Sequence, residues 1–343
     1  MAAVRNIYEQ QAYNKRMTTV LVILYIAVAV LVGYTVDVLV LGFPASNPLP
    51  ILSLSTLMLA CGTTIWSLSS GWIAVLKATG AVPANPRDPL HKKLLNIVEE
   101  VKIAAGLPMP RVYVIHDCDF NALATGNDPR HCAVAVTDSL LEGADRDELQ
   151  GVVAHEMSHI KNYDIRLMTI IASLVGAIVL MGDSITKSLK TSIESATSDG
   201  SSTTTSAQAQ IISWVVYGPL YVLIWFFTTI VAPLPLKIMA MAVSRNREYL
   251  ADAAAAELTR NPAALAQVLK KVGTDRIPTF SMTRAAAHLC IVDPSGNGFN
   301  DMGGFLAELF GTHPPILKRI KRLEAMAYSA SRSPQPPPQP AHT

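Results

Sequence analysis

His155, Glu156 and His159 stand in the order His-Glu-Met-Ser-His. On a helix, two imidazoles four residues apart share one face and can hold one metal ion. The glutamate between them reaches a water at that ion, so the trio reads as two ligands and a general base. Histidine occurs only 8 times in 343 residues, so chance is a poor account of this spacing. The chemistry it points to is metal-assisted hydrolysis of an amide bond.

A catalytic zinc takes three protein ligands and keeps one position for water. The best source of the third is Glu248, in Ser244-Arg245-Asn246-Arg247-Glu248-Tyr249-Leu250-Ala251-Asp252. Glu248 and Asp252 are four apart and share a helix face, so one carboxylate can bind the metal while the other accepts a proton from a ligand imidazole. Spacing alone leaves a second reading equally open, a solvated acidic face beside Arg245 and Arg247. His116, His131 and His288 read as surface or core histidines, and His342 lies in the tail.

The metal helix needs a start. Asp145 with Glu148 forms a capping box directly before it, with Leu149, Val152 and Val153 on the core face and His155 and His159 on the site face. Before it, Pro89 to Ala105 has helical periodicity at Leu94, Leu95, Val98 and Val101. Arg111–Ile115, Phe120–Ala124 and Cys132–Thr137 read as short strands, the last two flanking a turn at Gly126-Asn127-Asp128-Pro129. A helix rich in alanine is expected through Glu248 and Ala256.

Half of the chain is hydrophobic and only 16% is charged, the balance of a membrane protein. Met17–Val36 and Ile51–Leu76 are apolar and long enough to span, and they read as a hairpin broken at Pro44, Pro48 and Pro50. The first is too long for a cleaved signal peptide. Leu167 to about Ile185 is shorter and contains Asp183, which leaves a core helix as the alternative to a third span. Ile211–Leu236, with Trp214 and Trp225 and interrupted by Pro219, Pro233 and Pro235, reads as a kinked fourth. Asp37 and Asp183 fit the membrane edge, and Ser192–Ser206 reads as a flexible loop. Lysine and arginine flank the spans so as to place both termini and the charged middle region on the cytoplasmic side.

The expected fold is a mainly α membrane protein with four transmembrane helices and an α+β zincin-like catalytic domain carrying a small β-sheet. The division is a hairpin in 1–82, the first part of a metalloprotease domain in 83–166, a second transmembrane pair in 167–236, the second part of the domain in 237–330, and a Pro-rich disordered tail in 331–343. The net charge of +2 and the absence of a basic-aromatic cluster give no reason to expect a nucleic-acid partner. The four cysteines (Cys61, Cys118, Cys132 and Cys290) form no C-x-x-C pair, which fits a reduced compartment, with a Cys118–Cys132 pairing left open.

The sequence resembles the HtpX-type membrane metalloproteases, gluzincins related to the CAAX prenyl proteases. The resemblance rests on Asn121-Ala122-Leu123-Ala124-Thr125-Gly126, on His155 to Asp164, on Glu248-Tyr249-Leu250-Ala251-Asp252, and on Thr312-His313-Pro314-Pro315. Leu123 stands where that family more often has Phe. The resemblance implies one Zn2+ per chain on His155, His159 and Glu248, Glu156 as general base and Asp252 as partner of a ligand imidazole. It further implies that His313 and Arg319 stabilise the oxyanion, and that the stretch with Asn121, Ala122 and Ala124 is an edge strand holding substrate by strand addition. It implies membrane-protein substrates, quality control of misfolded proteins, and a multi-pass place in a bacterial inner membrane with cleavage at the cytoplasmic face. The rivals are a narrow-substrate processing protease and a non-enzymatic zinc-binding regulator. A transporter fits less well because the ionisable residues lie outside the spans.

Overall fold

The computed structural model describes residues 7–39, 49–172, 247–274, 289–291 and 314–332. The chain divides into two compact units, Met1–Val75 with Arg166–Ala242, and Leu76–Ile165 with Val243–Thr343.

In the first unit, α1 runs over Ile7–Leu39, and α2, over Ile51–Ala78, begins there. Gln11–Leu31 and Ile51–Ala78 are long and apolar enough to cross a bilayer. Large apolar side chains such as Ile23, Met58, Ile65 and Trp66 face outward, the surface expected of helices solvated by lipid. Between the helices the contacts are polar and close. Tyr25 Oη and Thr63 Oγ1 stand 3.0 Å apart. A Cβ on Gly33 would lie 2.8 Å from the Leu52 carbonyl oxygen, so only glycine permits this approach. One turn on, Asp37 is fully buried and accepts from Leu52 N (3.0 Å), Ser53 N (2.8 Å) and Ser53 Oγ (2.6 Å). It therefore caps the first turn of α2 from the end of α1, where four amide groups lack helical partners. The expected third span lies outside the described residues beyond residue 172, and the expected fourth lies wholly outside them; residues 164–172 are helical.

The second unit carries a four-stranded mixed sheet in the order β1-β2-β4-β3: β1 Val82–Pro83, β2 Arg111–Ile115, β3 Ala122–Asp128 and β4 His131–Thr137. β2 and β4 are parallel, while β1 and β3 pair antiparallel to β2 and β4. β3 is longer than the turn signal predicts. A bulge between Gly126 and Asp128 absorbs Asn127, and Asp128 Oδ1 accepts from Arg130 N (2.8 Å) and His131 N (3.0 Å), which closes the hairpin. A Cβ at Gly126 would lie 2.6 Å from the Cys132 Cα, so the bulge requires glycine.

α3, Pro89–Ala105, starts on Asp88, which accepts from Leu90 N and His91 N, and stops at Gly106 in the left-handed region. It buries Leu94, Ile97, Val98 and Val101; Ile97 takes the core place expected for Leu95. After the short α4, Asp138–Gly143, comes α5, Arg146–Lys161, which starts at the full capping box on Asp145 and Glu148. Residues 247–259 form α6, followed by α7, Pro262–Thr274, and α8, Ile316–Arg332. α5 packs against α3, β3 and α7. Gly151 lets α7 come close, since a Cβ there would lie 3.2 Å from the backbone nitrogen of Leu265. Lys271 Nζ bonds Glu148 Oε2 at 2.6 Å and pins α7 to the start of α5.

Candidate metal centre

α5 is buried on nearly every side, and its third and fourth turns carry His155, Glu156 and His159, each less than 5% exposed. The helical rise sets the two imidazoles one above the other, with their ring planes at 87° and their Nε2 atoms 3.3 Å apart. Glu248 on α6 brings its carboxylate opposite, with Oε2 3.6 Å from His155 Nε2 and Oε1 3.5 Å from His159 Nε2. One ligating atom from each of the three residues lies within 4.8 Å of the others.

That donor set fits a zinc ion. Ligands placed tetrahedrally about 2.0–2.1 Å from one centre stand about 3.3 Å apart, close to the separations found. Two imidazole nitrogens and a carboxylate buried together also need positive charge among them, which a metal ion supplies or, without one, a proton on an imidazole.

Behind each imidazole stands a carboxylate. Asp252, one turn after Glu248, places Oδ1 3.1 Å from His155 Nδ1. His159 Nδ1 donates to Asp164 Oδ2 at 3.1 Å. A carboxylate at Nδ1 fixes the tautomer that leaves Nε2 free to ligate. Behind each carboxylate stands an arginine. Arg319 on α8 donates from Nε to Asp252 Oδ2 (2.9 Å) and from Nη2 to Asp252 Oδ1 (2.7 Å). Arg247 Nη1 lies 3.6 Å from Asp164 Oδ1. The Asp164 arm was not foreseen as a partner of His159. The contact depends on backbone geometry that the residue types do not announce: α5 ends at Lys161, and Tyr163, at φ 59°, turns the chain back so that the next residue reaches the metal helix.

Burial acts on these charges. It would by itself depress His155, but the hydrogen bonds to Asp252 and Glu248 outweigh it and raise its pKa to about 9 in the metal-free site. Burial would raise Asp252, yet the Arg319 guanidinium holds it at about 2. Glu156 is pushed upward, chiefly by burial, which makes its carboxylate a better proton acceptor than an exposed glutamate.

Arg319 is turned toward Asp252 and toward the Ile291 carbonyl oxygen (Nη1, 2.9 Å), with Glu248 Oε2 3.4 Å from Nη1. His313 lies outside the described residues. Asn121 is buried, with Nδ2 3.3 Å from Asp119 Oδ2 and its backbone tied to Thr137, so it anchors the start of β3. Ala122 and Ala124 lie on β3, at one side of the four-stranded sheet. Cys61, Cys118, Cys132 and Cys290 are all thiols outside any disulfide, so Cys118 and Cys132 are not paired.

A histidine pair on one buried helix, a glutamate from a second helix and a small sheet alongside define a zincin-like metallopeptidase. The model of peptidase family M48 matches residues 89–327, and the chain belongs to that family. It is 38% identical to the protease HtpX homolog of Caldanaerobacter subterraneus subsp. tengcongensis over 94% of this chain and 98% of that one. It is 37% identical to the protease HtpX homolog of Thermoanaerobacter pseudethanolicus over the same shares, and 36% identical to that of Lactobacillus helveticus over 93% of this chain and all of the relative. Among solved structures, S. mikatae Ste24p aligns with a TM-score of 0.46 at 16% identity over 84% of this chain; the chain spans 65% of that longer protein. The chain is a membrane-associated metalloprotease, a hydrolase acting on proteins.

Proposed function

We propose that the chain is a membrane-embedded zinc endopeptidase that cleaves membrane proteins at the cytoplasmic face of a bacterial inner membrane, in quality control of misfolded substrates. The observation that carries the catalytic part is the buried meeting of His155, His159 and Glu248 within 4.8 Å, with Glu156 on the same turn as the histidines. These three residues hold one Zn2+. When bound, zinc acidifies a water and polarises the scissile carbonyl. Glu156 accepts the proton of the attacking water and passes it to the leaving amine. Asp252 and Asp164 keep the two imidazoles in the ligating tautomer. β3, which carries Ala122 and Ala124, is the strand along which an extended peptide aligns from Ala124 onward, with Asn121 and Ala122 holding its start. Arg319 adds positive potential at the site, and His313 is assigned to the oxyanion.

The two apolar helices described, with the runs at 167–185 and 211–236, make four spans with both termini cytoplasmic. The metal helix lies only a few residues before the third run, which favours cleavage near the membrane. Glu156 argues against a purely metal-binding regulator, because binding alone needs no base. The deciding experiment is zinc analysis and cleavage of a membrane-protein reporter by detergent-purified wild type and Glu156→Gln. Zinc content stays the same and cleavage all but disappears; a variant that cleaves like wild type refutes the assignment.

A further inference from the structure

Leu289, Cys290 and Ile291 are buried beside β3, far from it in the chain. Cys290 forms an antiparallel bridge with Leu123. Ile291 N donates to the Ala122 carbonyl oxygen at 3.0 Å. The carbonyl oxygen of the same residue accepts from Arg319 Nη1 at 2.9 Å. Arg319 grips Asp252 with its other donors, and Asp252 stands 3.1 Å from the ring nitrogen of His155. Ile291 is 1% exposed and Arg319 1%, so water does not compete for either main-chain bond.

We infer that the main chain of Ile291 is a positioning joint that ties the substrate strand β3 to the metal ligand His155 through Arg319 and Asp252. The inference rests on the reading of β3 as the strand that takes substrate. The geometry favours this role over simple core filling. Ile291 meets two partners with its backbone, one on β3 and the other Arg319, the guanidinium that grips the carboxylate behind the ligand. The Leu123–Cys290 bridge also closes the outer side of β3 at that residue. An added peptide strand therefore takes its register from Ala124 onward. Strand position and imidazole orientation are then set by one residue, so the scissile bond and the metal face each other at fixed distance.

Side-chain exchange tests this poorly, and Ile291→Pro puts folding at risk. Replacement of Ile291 by its α-hydroxy acid through nonsense suppression deletes its N–H and also weakens the Cys290 carbonyl as an acceptor. Replacement of Val292 by its α-hydroxy acid weakens the Ile291 carbonyl as an acceptor and removes the amide N–H that follows it. Ile291→Val keeps both bonds and serves as the rescue control. The zinc-loaded full chain in detergent is assayed with fluorogenically labelled casein, and zinc loss to a chelator is timed.

Removal of the N–H raises KM about tenfold, with kcat and zinc retention within about twofold of wild type, the size of one buried hydrogen bond. Weakening of the carbonyl accelerates zinc loss and lowers kcat about three- to tenfold, with KM little changed. Ile291→Val behaves as wild type. If both esters lower only the melting temperature, with KM, kcat and zinc retention unmoved, Ile291 is a packing residue and the joint is refuted. An inactive wild type, or a Glu156→Gln variant that still cleaves, sinks the proposed function instead. The zinc-loss arm still decides for or against the link from Ile291 to the metal.

Discussion

Arg319 and Asp252 share two parallel hydrogen bonds, 2.9 and 2.7 Å, and are 1% and 3% exposed. The fork of a guanidinium matches a carboxylate in two places, which fixes direction as well as charge. The pair lies directly behind His155, so its strength is transmitted to the metal site. Removal of one member strands the other charge in a medium that solvates it poorly. Arg319→Met therefore costs about 3–5 kcal/mol. Thermal denaturation of the purified protein reads this as a large drop in melting temperature.

Asp252→Asn and Asp164→Asn keep shape and remove the charge behind one imidazole each. Each lowers zinc affinity about 10–100-fold while Glu156 stays in place. Competition with a chromophoric chelator gives the affinities. Affinities equal to wild type for both variants are incompatible with their assigned roles.

Metal binding releases protons. His155 in the metal-free site titrates at about 9, above the usual histidine value of 6.5, so it carries a proton at neutral pH that zinc must displace. The sign follows: affinity falls as pH falls below 9, by about tenfold per pH unit for one proton. Calorimetry at pH 7.5 in two buffers of different ionisation enthalpy finds about one proton released per zinc from this group. Asp252, held at about 2 against an ordinary 3.8, contributes stability that is present above pH 4 and lost as pH falls from 4 toward 2.

Asp37 caps α2 with three accepted hydrogen bonds, so Asp37→Ala loosens the hairpin by about 0.5–2 kcal/mol. Gly33→Val forces α1 and α2 apart and costs more, since even a Cβ alone collides with Thr56 Oγ1. Both effects appear in the melting temperature in detergent, and Gly33→Val exceeds Asp37→Ala.

Cys118 is exposed, whereas Cys132 is buried with its thiol pushed up to about 12, first by burial and then by Asp128. Maleimide labelling of the folded protein therefore reaches Cys118 and spares Cys132. Mass spectrometry of the labelled peptides reads the order.

The local features were readable one residue at a time. His155, Glu156 and His159 lie within one helical turn, so their shared face follows from the 3.6-residue period. The capping box at Asp145 and Glu148, the strand Arg111–Ile115 and the helix Pro89–Ala105 depend on neighbours in the chain, and all three stand where periodicity and capping chemistry put them. The end of β3 was misjudged because Gly126-Asn127-Asp128-Pro129 carries turn residues, and a bulge uses the same residues without ending the strand. The short strand β1 went unforeseen because Val82–Pro83 has no periodicity to show.

The amino-acid order by itself determined that two imidazoles and the glutamate between them share one helix, and that two apolar stretches are each long enough to span a bilayer. Both follow from interactions within a few residues. Only the tertiary structure decided that Glu248 is buried within 4.8 Å of both imidazoles rather than facing solvent, that Asp252 lies against His155 while Asp164 lies against His159, and that Arg319 grips Asp252 from 67 residues away. The physical reason is that a carboxylate on an isolated helix is equally content in water. It becomes a ligand or a hydrogen-bond acceptor only when packing of α5, α6 and α8 removes the water and leaves buried imidazole and guanidinium groups as its partners.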